Sequence, residues 1–144
     1  MFELYTVLLT LHISLVVLWL GAGVTLQVIA HRVATITPEG LPSIAAQLDW
    51  FGQKWFPMIS GLTGVVGVLL WIDGPWELGT VWLWIAVVGW VISSAVGATQ
   101  LGPRVARIHE TGSPEAVRDF IAIARVDTVL LFLIVADMVI KPFA

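Results

Sequence analysis

His12 is the one histidine inside a long apolar run, Leu4–Ala30, in a chain that otherwise offers little reactive chemistry. An imidazole with a free ring nitrogen can ligate copper or a haem iron, relay a proton, or stay neutral on an internal hydrogen bond. On a helix turning 100° per residue, His12, Trp19, Gly23 and Ala30 fall within about 20° of one line. An ionisable ring, a large aromatic and two small residues on one stripe mark a face that meets something other than lipid. Burying that ring about 12 Å along the helix from its start is costly unless it finds a partner, which makes His12 a functional candidate. Three readings stand beside one another: a satisfied structural imidazole, a haem axial ligand, and a copper or proton-relay residue.

The space for a flat macrocycle depends on neighbouring spans. Ser60, Gly64, Gly67 and Trp71 share one face of the second apolar run, and Gly89, Ser93, Val96 and Gln100 share one face of the third. Gly64 and Gly89 come near the level of His12. Small residues at one depth either draw helices together or leave a slot. Trp19 and Trp90 lie deep in their runs, where they pack the interior or wall a cofactor.

The other candidates lie towards the membrane boundaries. His31 and His109 stand beside Arg32 and Arg107, and Met58 and Met138 lie near the two faces, away from His12 in depth. A haem on His12 is then five-coordinate, takes an unusual second ligand, or is shared across a homodimer. Arg104 and Arg125, with Arg107, form a basic mouth for propionates or another anion, with Gln27 and Gln100 lining it. The alternative is a structural role at a polar boundary. Asp127 is expected to pair with Arg104 or Lys54, and Asp137 with Lys141 four residues on. There is no cysteine, so thiolate metal sites and disulfides are excluded. No phosphate loop, Ser-His-Asp arrangement or HExxH pattern supports hydrolysis. A nucleic-acid partner is not expected, and no electron partner is evident.

The elements that must position these residues are membrane spans. Of 144 residues 58% are hydrophobic and 12% charged, about half the charge of an ordinary soluble domain; mean hydropathy is +0.95. Four runs approach the roughly 20 residues needed to cross a bilayer: 4–30, 55–72, 80–101 and 121–140. One all-α four-helix transmembrane domain over 1–144 is the expectation, with the lipid bilayer as its surroundings. Arg32 and Lys54 flank the first connection, and Arg104, Arg107, Arg118 and Arg125 occupy the third. The second holds only Asp73 and Glu77. The positive-inside rule puts both termini outside. Trp50 and Trp55 mark one interface; Trp71, Trp76, Trp82 and Trp84 mark the other. Pro42 opens one short amphipathic stretch and Ser113-Pro114-Glu115 begins another, with an N-cap and a proline at the first helical position. The similar spacing of these two connections suggests a parallel duplication of helix pairs.

Leu11-His12-Ile13 followed by Trp19-Leu20-Gly21 resembles the first helix of HemJ-type protoporphyrinogen oxidases and of the copper-resistance protein D superfamily. Arg125-Val126-Asp127 through Lys141-Pro142-Phe143 resembles the HemJ C-terminus. Leu62-Thr63-Gly64, with Gln100 and Arg104, is more similar to a related bacterial family of small four-helix membrane proteins without assigned function. The resemblance implies a multi-pass protein of the bacterial inner membrane, with His12 on haem b. Ala86 stands where HemJ proteins carry a third-helix lysine, and the later tyrosine and histidine are missing near Val96 and Gly97. What the resemblance implies is therefore haem or porphyrin binding by His12, with Trp19 and Gly64 shaping the pocket and Arg104 and Arg125 contacting the anionic groups. It does not separate an enzyme from a binding protein. A non-catalytic helper or oligomeric structural protein, and a carrier of copper or a small solute, are the alternatives.

Overall fold

The structure, a computed structural model, describes residues 3–143, and every regular element among them is helical. Helix α1 runs Leu4–Ile36. The next two long stretches are each broken once: α2 (Leu41–Trp50) continues into α3 (Phe56–Asp73), and α4 (Val81–Val96) into α5 (Gly102–Thr111). Helix α6 runs Pro114–Ile140. Three stretches, Leu4–Ile36, Pro38–Asp73 and Val81–Thr111, are long and apolar enough to cross a membrane. The fourth expected span lies within α6, which at 27 residues is shorter than these three and carries Arg125, Asp127 and Asp137 along its apolar length.

Both breaks are π-helical turns, Phe51–Trp55 and Gly97–Leu101. Their cause can be read from two prolines. A proline within a helix gives no N–H to the carbonyl four residues earlier and its ring collides with that carbonyl. Those residues are Gln53 for Pro57 and Thr99 for Pro103, each in the middle of its π turn. Widening one turn accommodates the ring and bends the helix.

The connections expected around Pro42 and Ser113 are therefore mostly helix. α2 and α5 extend the second and third long stretches and pack against each other, while α5 also lies on the start of α6. At the turn between α5 and α6, Gly112 takes a left-handed φ of 57°. Ser113 then caps α6, its Oγ accepting from the Ala116 N–H at 3.3 Å. Each half of the chain has a long–short–long plan. The π turn follows the short helix in the first half and precedes it in the second, because the prolines are placed that way.

In the bundle α1 packs along α3 and α6, and α4 packs on α6, whereas α3 and α4 meet only sparsely. Two apolar cores result. Ala30, Leu41, Ala45, Leu48, Val105, Ile108, Val117 and Phe120 form a core at the cap end, where α2 and α5 sit. Leu15, Trp19, Ile59, Val66 and Leu70 form another between α1 and α3.

The opposite end is aromatic. Trp76 and Trp82 meet edge to face at 5.0 Å, and Trp71 and Trp84 at 5.4 Å. Trp84 Nε1 donates to the Leu78 carbonyl at 2.7 Å, tying down the α3–α4 loop. The outward faces between the two ends carry Val17, Val65, Val88, Val129 and Leu133, all exposed. Such an apolar belt is unlike the surface of a soluble bundle.

Candidate functional site

The stripe anticipated on α1 is the inward face of that helix: His12, Trp19 and Ala30 are buried, and Gly23 lines an internal cavity. His12 is pressed against α3. A Cβ on Gly67 would sit 3.2 Å from His12 Cε1 and 3.6 Å from Nδ1, so the absent side chain of Gly67 is what admits the ring. Nδ1 is buried there without a hydrogen-bond partner, with the backbone of Thr63 alongside. The Thr63 hydroxyl is engaged elsewhere, donating to the Ile59 carbonyl at 2.7 Å.

Gly64 lines the same cavity as His12 and Trp19, but its nearest neighbour is Trp90 rather than His12. A Cβ at Gly64 would lie 2.6 Å from Trp90 Cζ2. The level of His12 on α3 is one turn further on, at Gly67. Gly89 is likewise filled, its would-be Cβ 2.7 Å from Ile134 Cδ1. Two of the glycines proposed as an empty slot are thus sockets for side chains from neighbouring helices.

Trp90 spans the gap between α4 and α3 where their backbones diverge. Its Nε1 donates towards both the carbonyl and the Oγ of Ser60, each at 3.1 Å, and the Ser60 and Ser94 hydroxyls lie 2.9 Å apart. This polar latch divides the interior into two cavities that share Trp19, Leu20, Gly61, Trp90 and Leu131 as their common wall. The two deep tryptophans therefore do wall a space, from both sides.

The cavity towards the aromatic end has a volume of about 600 Å³ and is lined by His12, Val16, Trp71, Ala86, Ile134 and Met138 among others. Its lining is almost wholly apolar, with His12 the one titratable side chain in it. Met138 belongs to the same cavity as His12 although it sits closer to its helix end. Depth along separate helices hid that relation. The cavity towards the cap end, about 860 Å³, is lined by Gln27, Gln53, Ser60, Ser93, Asp127 and Thr128 together with apolar side chains. Gln27 is fixed there by its Nε2, which donates to Thr128 Oγ1 at 2.8 Å.

Several expected pairings are not formed. Arg104 Nε lies 3.3 Å from Asp119 Oδ2 and Arg107 reaches the same oxygen at 3.6 Å, so Arg104 is held at the α5–α6 junction and does not reach Asp127. Arg104 and the exposed Arg125 line neither cavity, and no basic mouth is assembled. Gln100 is also absent from the lining; its side-chain and backbone oxygens accept from Arg104 Nη1. Lys141 takes a left-handed φ of 50° just past α6, which ends the helical register with Asp137. Its Nζ instead sits 4.3 Å from the centre of the Trp76 ring and 5.4 Å from that of Trp82. His31 and His109 are exposed near the cap end. No group of three or more metal-ligating His, Asp or Glu side chains occurs among the described residues.

Sequence reasoning missed the Trp90–Ser60–Ser94 latch. Its signal was present, since serines and an indole N–H at mid-span require partners where water is absent. No protein-family model, curated protein or solved structure matches this chain.

Proposed function

We propose that this chain is an integral membrane protein that holds a flat apolar macrocycle, haem b or a porphyrin, beside His12. The observation that carries the reading is a buried histidine, the one titratable side chain on an apolar cavity of about 600 Å³, within the size range of ligand pockets. Three helices of spanning length and an apolar outer belt support membrane integration. The basic residues Arg32, Lys54, Arg104, Arg107 and Arg118 gather towards the cap end and Asp73 and Glu77 towards the other, which supports a cytoplasmic cap with both termini outside. The HemJ-like pattern around His12 supports a bacterial inner membrane.

The His12 imidazole is a donor that suits the iron of a haem. The Cε1–Nδ1 edge is turned to Gly67, so Nε2 is the nitrogen assigned to iron. Nδ1 is then left to the α3 backbone, an arrangement typical of ligating histidines. Bound there, a haem would supply one-electron chemistry, and Trp19 and Trp90 would exclude water from one side of it. Propionates find no Lys or Arg among the lining residues, so Arg104 and Arg125 drop out of the ligand contacts and keep their structural roles.

A second reading rests on the Gly67 contact. His12 there pins α1 to α3 as a packing element of a helper or oligomeric protein. One experiment separates the two: visible spectra of the detergent-solubilised protein, oxidised and reduced, beside His12→Ala. The haem reading requires a Soret band and reduced haem b bands, as purified or after haemin is added, that shift or vanish in the variant. A protein that stays colourless with haemin, with a His12→Ala variant that merely unfolds at lower temperature, selects the packing reading.

A further inference from the structure

The cap-end cavity carries chemistry that the His12 reading does not use. Its lining contains two carboxylates, Asp127 and Asp49, and no lysine, arginine or histidine. Asp127 is on α6 and turns one carboxyl oxygen, Oδ1, into a buried position. Ser93, on α4 and only 1% exposed, sets its Oγ beside the Asp127 carboxyl on the same cavity, and neither group has any other partner. The cations of the cap end are engaged elsewhere or outside the lining. Arg104 and Arg107 are held by Asp119, and Arg125 and Lys54 are exposed and outside the lining. Asp49 is spoken for, accepting from Gln53 Nε2 at 2.8 Å on an exposed face.

A partly buried carboxylate with one neighbouring hydroxyl and no cation beside it calls for a positively charged partner. The lining also contains Trp19, Phe56, Trp90 and Phe120, whose ring faces can attract an organic cation by cation–π interaction. A volume of about 860 Å³ is far too large for a bare metal ion, and no three-residue ligand set is available among the described residues. The lining also includes Gly52, Pro57, Gly97 and Pro103, so the cavity lies beside both π turns.

From this juxtaposition we infer a second binding site, for an amphipathic organic cation, with Asp127 as counter-charge, Ser93 as hydroxyl partner and the tryptophan wall as its apolar face. It does not depend on haem at His12. The two sites share only the Trp19–Trp90 wall.

The test uses tetraphenylphosphonium as probe and the equally shaped anion tetraphenylborate as control, in equilibrium dialysis against the purified full chain in detergent. The expected result is saturable binding of the cation and none of the anion. Binding weakens about tenfold or more in Asp127→Asn, as for loss of one partner of a buried charge pair. It persists in Asp127→Glu, in Asp137→Asn, whose carboxylate lies outside both cavities, and in His12→Ala. Absence of saturable cation binding, equal uptake of the anion, or equal affinity in Asp127→Asn overturns the site. Should Asp127→Asn fail to fold, carbodiimide modification of Asp127 in the unaltered protein replaces it, read by mass spectrometry. Saturating tetraphenylphosphonium must slow that modification, and an unchanged rate overturns the site equally.

Discussion

The cap end and the middle of the bundle are built from the same apolar residue types, yet they solve opposite problems. At the cap, Ala30, Ala45 and Ala116 let α1, α2 and α6 approach closely around Leu41, Ile108 and Val117, and all six are at most 1% exposed. In the middle, α3 and α4 meet only sparsely, and side chains rather than backbones bridge the gap. Bulky Trp90 fills part of the space and leaves a cavity on either side. Close packing gives stability, and a gap spanned by one indole gives capacity for ligands. The molecule divides the two tasks along its length, with the cap holding the helices between which the interior opens.

The largest effect is expected where packing is densest. Leu41→Ala should destabilise the folded protein by roughly 2–5 kcal/mol, because the surrounding helices cannot collapse fully onto the void. Leu131→Ala, on the wall common to both cavities, enlarges space that already exists and should cost less. Reversible unfolding in detergent, followed by circular dichroism, compares the two. Equal losses would erase the distinction between a packed cap and a permissive middle.

Next in size is the glycine socket of the latch. An alanine at Gly64 gains helix propensity, yet its methyl would lie 2.6 Å from Trp90 Cζ2. The indole is anchored through Nε1 to Ser60, so it cannot yield without losing those hydrogen bonds. The net cost should be about 1–3 kcal/mol, the usual range for overpacking. Gly89→Ala meets both Cδ1 and Cγ1 of Ile134 at 2.7 Å, so that side chain must change rotamer, but no hydrogen bond is lost when it does. A thermal midpoint for Gly64→Ala no lower than that for Gly89→Ala would show that Trp90 is a filler and not a latch.

The difference between these regions also explains what could be read from the chain. The four long helices, the Ser113 cap and the inward stripe of His12, Trp19 and Ala30 follow from hydrophobic runs and helical periodicity, both local properties. The bends were legible too, since Pro57 and Pro103 lie inside otherwise helical runs, but their consequence depends on which neighbours then separate. The match of Gly67 rather than Gly64 to His12 depends on the relative sliding of α1 and α3, which counting residues from an interface fixes only to about a turn. The partners of charges were the least legible. Asp119 lies on the cap-end turn of α6 and takes both Arg104 and Arg107. Asp127, two helical turns on, is left facing the cavity.

The smallest effect belongs to that same ion pair, and it sharpens the account of the cap. Asp119 is 42% exposed and Arg107 61% exposed, while Arg104 is 23% exposed. Charges this accessible to solvent contribute about 0.2–1 kcal/mol. Arg104 keeps its contacts to Gln100 when the carboxylate is removed. Asp119→Ala should therefore lower stability by no more than about 1 kcal/mol, and the loss should shrink at 1 M salt, where the screening length is about 3 Å. The penalty for Leu41→Ala should survive the same salt, because apolar contact is not screened. If Asp119→Ala instead matched Leu41→Ala and ignored salt, the α5–α6 junction would be held by its charges, and the cap would owe its rigidity to electrostatics rather than to the alanine-spaced core.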